Sequence, residues 1–121
     1  MASGKSDIIR AVFAAYLAND RQAVEGYLTD DFRFTSPYDD GIDKAAYFAR
    51  CWKHSDWIER HELEKILVEG SEAFVTYRCQ ARDGKSFRNT EFFCFEGDKI
   101  KRIDVYFGAS YQHGVFVKQP Q

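Results

Sequence analysis

Apolar and polar positions along the chain follow a helical period first and an alternating period afterwards. Over residues 6–19, Ile8, Ile9, Val12, Phe13, Tyr16 and Leu17 fall on one stripe, while Lys5, Asp7 and Arg10 lie off it. That spacing predicts an amphipathic helix with Ser6 as its cap. Asn19-Asp20 breaks the pattern, and Asp20 is placed to cap a second short helix whose Val24, Tyr27 and Leu28 continue the same face. Residues 31–36 then alternate, Phe32 and Phe34 against Arg33 and Thr35, until Pro37 and Gly41 intervene; this predicts a short strand followed by a polar loop. Asp43 is a cap candidate for a third helix carrying Ala45, Phe48, Ala49 and Trp52 on one stripe and ending near residues 54–56.

From Trp57 onward the period is close to two. Residues 57–69 alternate imperfectly, which suggests a bulge or a strong bend. Ala73, Val75, Tyr77, Cys79 and Ala81 then alternate cleanly with Phe74, Thr76, Arg78 and Gln80, up to a hairpin signal at Asp83-Gly84. The next strand sets Phe87, Asn89, Glu91, Phe93 and Phe95 on one face. After a turn over residues 96–99, a last long strand sets Ile103, Val105 and Phe107 against Arg102, Asp104 and Tyr106. Three helices followed by a meander of long strands is an α+β plan, and at 121 residues one domain is expected. A twisted sheet curling around helices leaves room between them for a ligand.

Composition narrows the function. Seventeen Lys and Arg against nineteen Asp and Glu, both signs scattered, give no basic surface for nucleic acid or an anionic membrane. Aromatic residues make up 17% of the chain, so rings either build the core or line a cavity. Cys51, Cys79 and Cys94 lack paired spacing, no long apolar run opens the chain, and nothing approaches a membrane span, so a cytoplasmic protein with reduced thiols is expected. His54, His61 and His113 are too far apart for a ligand motif, so no metal is expected, and no phosphate loop or nucleophile elbow calls for a cofactor.

The ordered run of a paired helical start, YLTDDFRFTSP, a helix after DDGIDKAAYF and the ending FFCFEGDKIKRIDVYFG resembles the nuclear-transport-factor-2-like superfamily over residues 5–107. More narrowly it resembles the SnoaL-like branch, which is itself similar to ketosteroid isomerases. The resemblance implies a cystatin-like cone, a curved antiparallel or mixed sheet wrapped around three N-terminal helices, with homodimers formed through the outer sheet face. It does not settle the chemistry, because one fold hosts many reactions. Where the isomerases have a general-base Asp before a Pro, this chain has Ser36, whose hydroxyl holds its proton too tightly to replace a carboxylate. Where they have a Tyr on the first helix it has Val12, with Tyr16 one turn on. Where they have a protonated Asp on the penultimate long strand it has Glu91. The last-strand Asp of the fold's epoxide hydrolases is matched by Val105, with Asp104 on the opposite face.

Glu91 is therefore the leading candidate, as acid or hydrogen-bond donor if its face points inward, or as a solvated side chain if that face points out. Asp40 and His54 are candidates at the cavity mouth, although His54 is most simply a partner for its helix's C-terminal dipole. Tyr16, Phe34, Ser36, Trp52, Tyr77, Asn89 and Phe93 are the candidate ligand-binding residues; against that, Tyr16 on its apolar stripe reads as core, Phe34 and Trp52 as wall, and Asn89 as a structural hydrogen bond to a neighbouring loop. Cys79 has no activating base nearby in sequence and reads as packing. The expected ligand is a small apolar or cyclic molecule. Any catalysis would be cofactor-free proton transfer such as isomerisation, dehydration or hydrolysis, and the alternative is a non-catalytic binding or interaction module.

Overall fold

The computed structural model of the protein describes residues 4–52 and 57–118. Helix α1 (Lys5–Leu17) buries Ile8, Ile9, Val12 and Phe13, the stripe read from the sequence. Its cap is Gly4 and not Ser6: Gly4 is extended and no side chain bonds the free N–H groups. The C-terminal stop has a specific geometry. Asn19 takes a left-handed φ of 59°, the Asn19 N–H donates to Tyr16 O (3.1 Å), and the Asp20 N–H donates to Ala15 O (2.8 Å). This is a Schellman ending with Asn where Gly is more usual. It leaves Asp20 free to accept from the Ala23 N–H at 3.2 Å and so start α2 (Arg21–Gly26).

Strand β1 (Leu28–Ser36) begins earlier than its alternation suggests, and the expected polar loop contains a second strand, β2 (Asp39–Asp43). DDGID has no apolar alternation to announce it. The hairpin is held instead by polar bonds, the Gly41 N–H donating to Thr35 Oγ1 (2.9 Å) and Arg33 Nη1 donating to Gly41 O (3.3 Å). Asp43 does cap α3 (Lys44–Cys51), accepting from the Ala46 N–H at 2.9 Å. The buried face of α3 is rotated from the expected stripe. Tyr47 and Phe48 are buried while Ala45 and Ala49 are exposed, because Tyr47 packs its ring on Phe32 and Phe34 of β1. The expected helix end at residues 54–56 lies outside the described residues.

Strands β3 (Ile58–Glu69), β4 (Glu72–Ala81), β5 (Lys85–Glu96) and β6 (Lys99–Gln112) follow, with a three-residue β7 (Val115–Val117) that the sequence reading does not contain. His113 and Gly114 both have positive φ, as a two-residue type I′ turn requires, and return the chain as β7 against the end of β6. The sheet order is β2-β1-β6-β5-β4-β3, antiparallel throughout except for the parallel β1–β6 pair. The irregularity expected in residues 57–69 is real: register shifts interrupt the β3–β4 ladder after Ile58 and after Leu63.

The result is a curved, unclosed sheet with the helices against its inner face. Ala73, Val75, Tyr77, Cys79 and Ala81 are all buried there, and Phe13 of α1 packs edge-on to Tyr77 with ring centroids 4.8 Å apart. Phe74, Phe92 and Tyr106 lie on the outer face. Asp104 shares that face but is only 6% exposed, with the Arg102 guanidinium donating to it at 2.6 Å. On the inner side Ile9, Val24, Leu28, Phe32 and Ile100 close one end of the core.

A bulge bends the β5–β6 ladder toward the other end. Phe87 faces Ser110 while Asn89 faces Phe107, so Gly108 and Ala109 stand opposite Arg88 alone. A Cβ on Gly108 would lie 2.3 Å from the Arg88 carbonyl oxygen. We expect Gly108→Ala to destabilise the fold by about 1–3 kcal/mol in chemical denaturation, as overpacking against a fixed backbone does. Gly26→Ala, with open space at its Cβ, should change stability by less than about 1 kcal/mol.

Candidate functional site

The open end of the cone encloses a cavity of about 560 Å³ between α1, α3 and the inner face of the sheet. Its wall is mostly apolar, with Val12, Phe13, Phe34, Ile58, Phe93, Ile103 and Val105 contributing. Strand alternation brings polar groups to the wall on neighbouring rungs. His61 pairs with Cys79, Tyr77 with both Leu63 and Asn89, and Glu91 with Val75 and Val105. Directly opposed residues share a face, so an inward β4 makes its partners inward as well.

Tyr77 links the polar groups. Its hydroxyl donates to Glu91 Oε2 at 2.5 Å, and Asn89 Nδ2 donates to the Tyr77 oxygen at 3.2 Å. Because Asn89 occupies a lone pair of the phenol, the phenolic proton is directed at the carboxyl. Burial lifts the pKa of Glu91 to about 7, with the Tyr77 bond pulling in the opposite direction. By area Glu91 is half-buried, but what it exposes borders the cavity, so the carboxyl has lost most of its bulk hydration. Burial together with the neighbouring Glu91 charge holds Tyr77 protonated, well above its ordinary range.

His61 completes the polar set from β3. Its ring stands edge-on to Phe13 (5.1 Å) and Tyr77 (5.7 Å), and its Nδ1 is buried with no hydrogen-bond partner. Burial lowers its pKa to about 4, so the imidazole is neutral around neutrality. Burial also raises the pKa of Cys51 to about 11 and of Cys79 to about 12, which keeps both thiols in the wall protonated and poor nucleophiles. Tyr16 and Tyr47 are likewise pushed up by burial. Among the described residues no three His, Cys, Asp or Glu side chains converge as metal ligands.

Glu91, Tyr77, Asn89, Phe93, Tyr16, Phe34 and Ser36 all border the cavity. Three other candidates do not stand there. Asp40 is exposed on β2, and its neighbour Asp39 faces the cavity instead, since successive strand residues point to opposite sides. Trp52 packs behind Tyr16, edge-on at 5.3 Å, and does not reach the wall. His54 lies outside the described residues. The sequence reading passed over His61, Asp39, Arg50 and Tyr47. His61 was hidden by the β3 bulges, which break the alternation that would have put it with the inward residues; only its pairing with Cys79 reveals its side.

Residues 9–103 match the SnoaL-like domain family. No curated protein matches the chain. Among solved structures, a nuclear-transport-factor-2-like protein of unknown function from Cytophaga hutchinsonii is 18% identical, over 88% of this chain and 92% of its own, with a TM-score of 0.72. A protein from Sinorhizobium meliloti, provisionally assigned as a polyketide cyclase, is 21% identical over 85% and 99%, with a TM-score of 0.67. A de novo designed protein with a curved β-sheet is 18% identical over 87% and 86%, with a TM-score of 0.73. At these identities the shared property is the fold.

The opposite pKa displacements of Glu91 and His61 have a signed consequence. Glu91 rises from 4.5 to about 7, so the folded state binds the extra proton and this contribution to stability falls as pH rises through that window. His61 drops from 6.5 to about 4, so the unfolded state binds the extra proton and stability falls as pH drops through that window. Between pH 4.5 and 6.5 the two slopes oppose each other, and folding in effect moves one proton from the imidazole to the carboxyl. Relative to wild type, Glu91→Gln should lose stability on acidification by about 1.4 kcal/mol per pH unit across this range. His61→Phe should show a similar slope of opposite sign. Urea denaturation at a series of pH values measures both, and parallel curves for the three proteins would contradict the assignment.

Proposed function

The chain belongs to the SnoaL-like domain family, and on that premise we propose that its cavity takes up a small apolar or cyclic molecule with which Glu91 exchanges a proton, without a cofactor. The observation that carries the reading is the Glu91 carboxyl itself, set in an apolar cavity and bonded to the Tyr77 hydroxyl, with its pKa brought to about 7 by burial. A carboxyl in that state is near-evenly divided between acid and base at neutral pH, the condition under which general acid–base catalysis is most effective. Isomerisation, dehydration and hydrolysis all need such a transfer. The fold neighbour assigned provisionally as a polyketide cyclase suggests a ring-bearing ligand.

Ser36 favours a second reading, a non-catalytic binding module of the same fold. Its hydroxyl stands where the related isomerases carry their base, and it accepts a bond from the Tyr38 N–H at 3.1 Å. The other carboxylate at the cavity, Asp39, is paired with Arg50. We further propose that the outer sheet face, where Phe74 is 48% and Tyr106 56% exposed and Phe74 packs against Phe92, meets a second copy of the chain. A cytoplasmic location is part of the same reading, supported by three free cysteines.

A planar carbon acid tests the two readings of the cavity. With 5-nitrobenzisoxazole, removal of the ring proton opens the N–O bond and releases a coloured phenolate. The catalytic reading expects a rate that rises with pH around a midpoint near 7 and falls by about 100-fold or more in Glu91→Gln. Tyr77→Phe removes the bond that lowers the Glu91 pKa, so the midpoint should move upward. Saturable binding of the probe with no acceleration supports the binding module instead. For the outer face, Phe74→Glu is expected to turn a dimer into a monomer in sedimentation velocity, and a monomeric wild type would end the dimer proposal.

A further inference from the structure

The cavity mouth carries a positive charge that the described interior residues lack. Going outward along β5 from Glu91, the inward residues are Asn89 and then Phe87, four residues and about 13 Å along the backbone at an ordinary strand rise. At this level the wall becomes exposed: Trp57 stacks on Phe87 with centroids 6.1 Å apart, and Phe107 meets Tyr38 edge-on at 5.5 Å. Arg50 of α3 and Asp39 of β2 stand at the same cavity. Arg50 is the one Lys or Arg among the described residues that border it. Lys85 lies over the Trp57 ring but does not border the cavity.

The Arg50–Asp39 pair has a shape suited to a ligand. Arg50 approaches Asp39 Oδ1 through Nε at 2.5 Å; the Arg50 side chain is 57% exposed, whereas that of Asp39 is 9% exposed. Asp39 thus holds the guanidinium on its Nε side, while more than half of the Arg50 side chain stays exposed. A guanidinium held in this way offers a planar fork to a carboxylate, and it has lost part of the side-chain freedom that binding would otherwise cost. Glu91 is held differently, by burial that raises its pKa and by the Tyr77 bond that opposes the rise.

We propose that the ligand is a ring compound carrying a carboxylate at one end, its ring seated against Glu91 and Tyr77 and its carboxylate held at the mouth by Arg50, which Asp39 orients. This rests on the reading of the cavity as a ligand site and adds the substrate class to it. Among the described residues the interior offers no Lys or Arg for an anionic group, so the molecule enters ring first. The aromatic residues at the mouth provide flat contact for the part of the ligand that bridges the two ends. Arg50 is then a specificity-determining residue that takes no part in proton transfer.

Calorimetry with a matched pair of probes, 3-(2-naphthyl)propanoate and 3-(2-naphthyl)propanamide, tests this at neutral pH and low salt. The acid should bind the wild type about tenfold more tightly than the amide, as a charge-assisted bond at a partly exposed site gives. Arg50→Gln should bring the acid to the level of the amide and leave the amide unchanged, while Arg50→Lys should keep part of the preference. Equal binding of both probes to the wild type overturns the proposal and leaves the cavity reading standing. So does an Arg50→Gln that weakens both alike. If neither probe binds, both readings fall together.

Discussion

The inner face of the sheet is longer than the helix laid against it, and that mismatch leaves the cavity. Strand β5 has 12 residues and β6 has 14, so each runs about 40 Å or more, whereas the 13 residues of α1 span about 20 Å. One helix of that length can cover only part of the face. Where it does, Ile9, Val24, Leu28 and Ile100 close the core almost completely. Beyond its reach the same alternating strands continue with no partner of equal length, and their inward side chains become the wall of a cavity. The Gly108 bulge adds bend where the cover thins.

The electrostatics follow from that geometry. Polar residues on the inward rungs lose water without leaving the surface of the cavity, so each ionisable group is driven toward its neutral form. Glu91 tends to hold its proton and His61 tends to lose one, with Tyr77 between them as a fixed donor. The charged pair in the wall, Asp39 and Arg50, stands where the Arg50 side chain remains solvated. The cavity is therefore graded: ring-lined within, around a carboxyl that titrates near neutrality, and dipolar at its mouth.

Much of the fold was legible because its signals are local. Asp20 and Asp43 cap their helices as their positions suggest; burial bears out the alternation of β4, and Ile103, Val105 and Phe107 of β6 share the cavity side although Asp104 on the opposite face is buried. Glu91 was legible for the same reason, since Phe93 and Phe95 fix the inward parity of its strand. Other elements carry no local signal. β2 is held by bonds to Thr35 and Arg33, and the third helix turns Tyr47 inward because the rings of β1 receive it. Asp40 and Trp52 were misplaced by this kind of contact: one lies on a strand where a loop was expected, the other packs its ring against Tyr16, which borders the cavity in its place.

By itself the sequence determined the periods, the caps, most of the turns and the parity of the long strands, because each depends on residues within one or two turns of one another. Tertiary structure alone decided which charged and titratable groups share the cavity. His61, Tyr77 and Glu91 come from three strands, and Arg50 and Asp39 from a helix and a hairpin that no periodicity aligns. Their register is set by bulges and by ring packing across the core. Both are interactions between segments distant in sequence, so their chemistry becomes visible only when the sheet has curved and the helices have covered part of it.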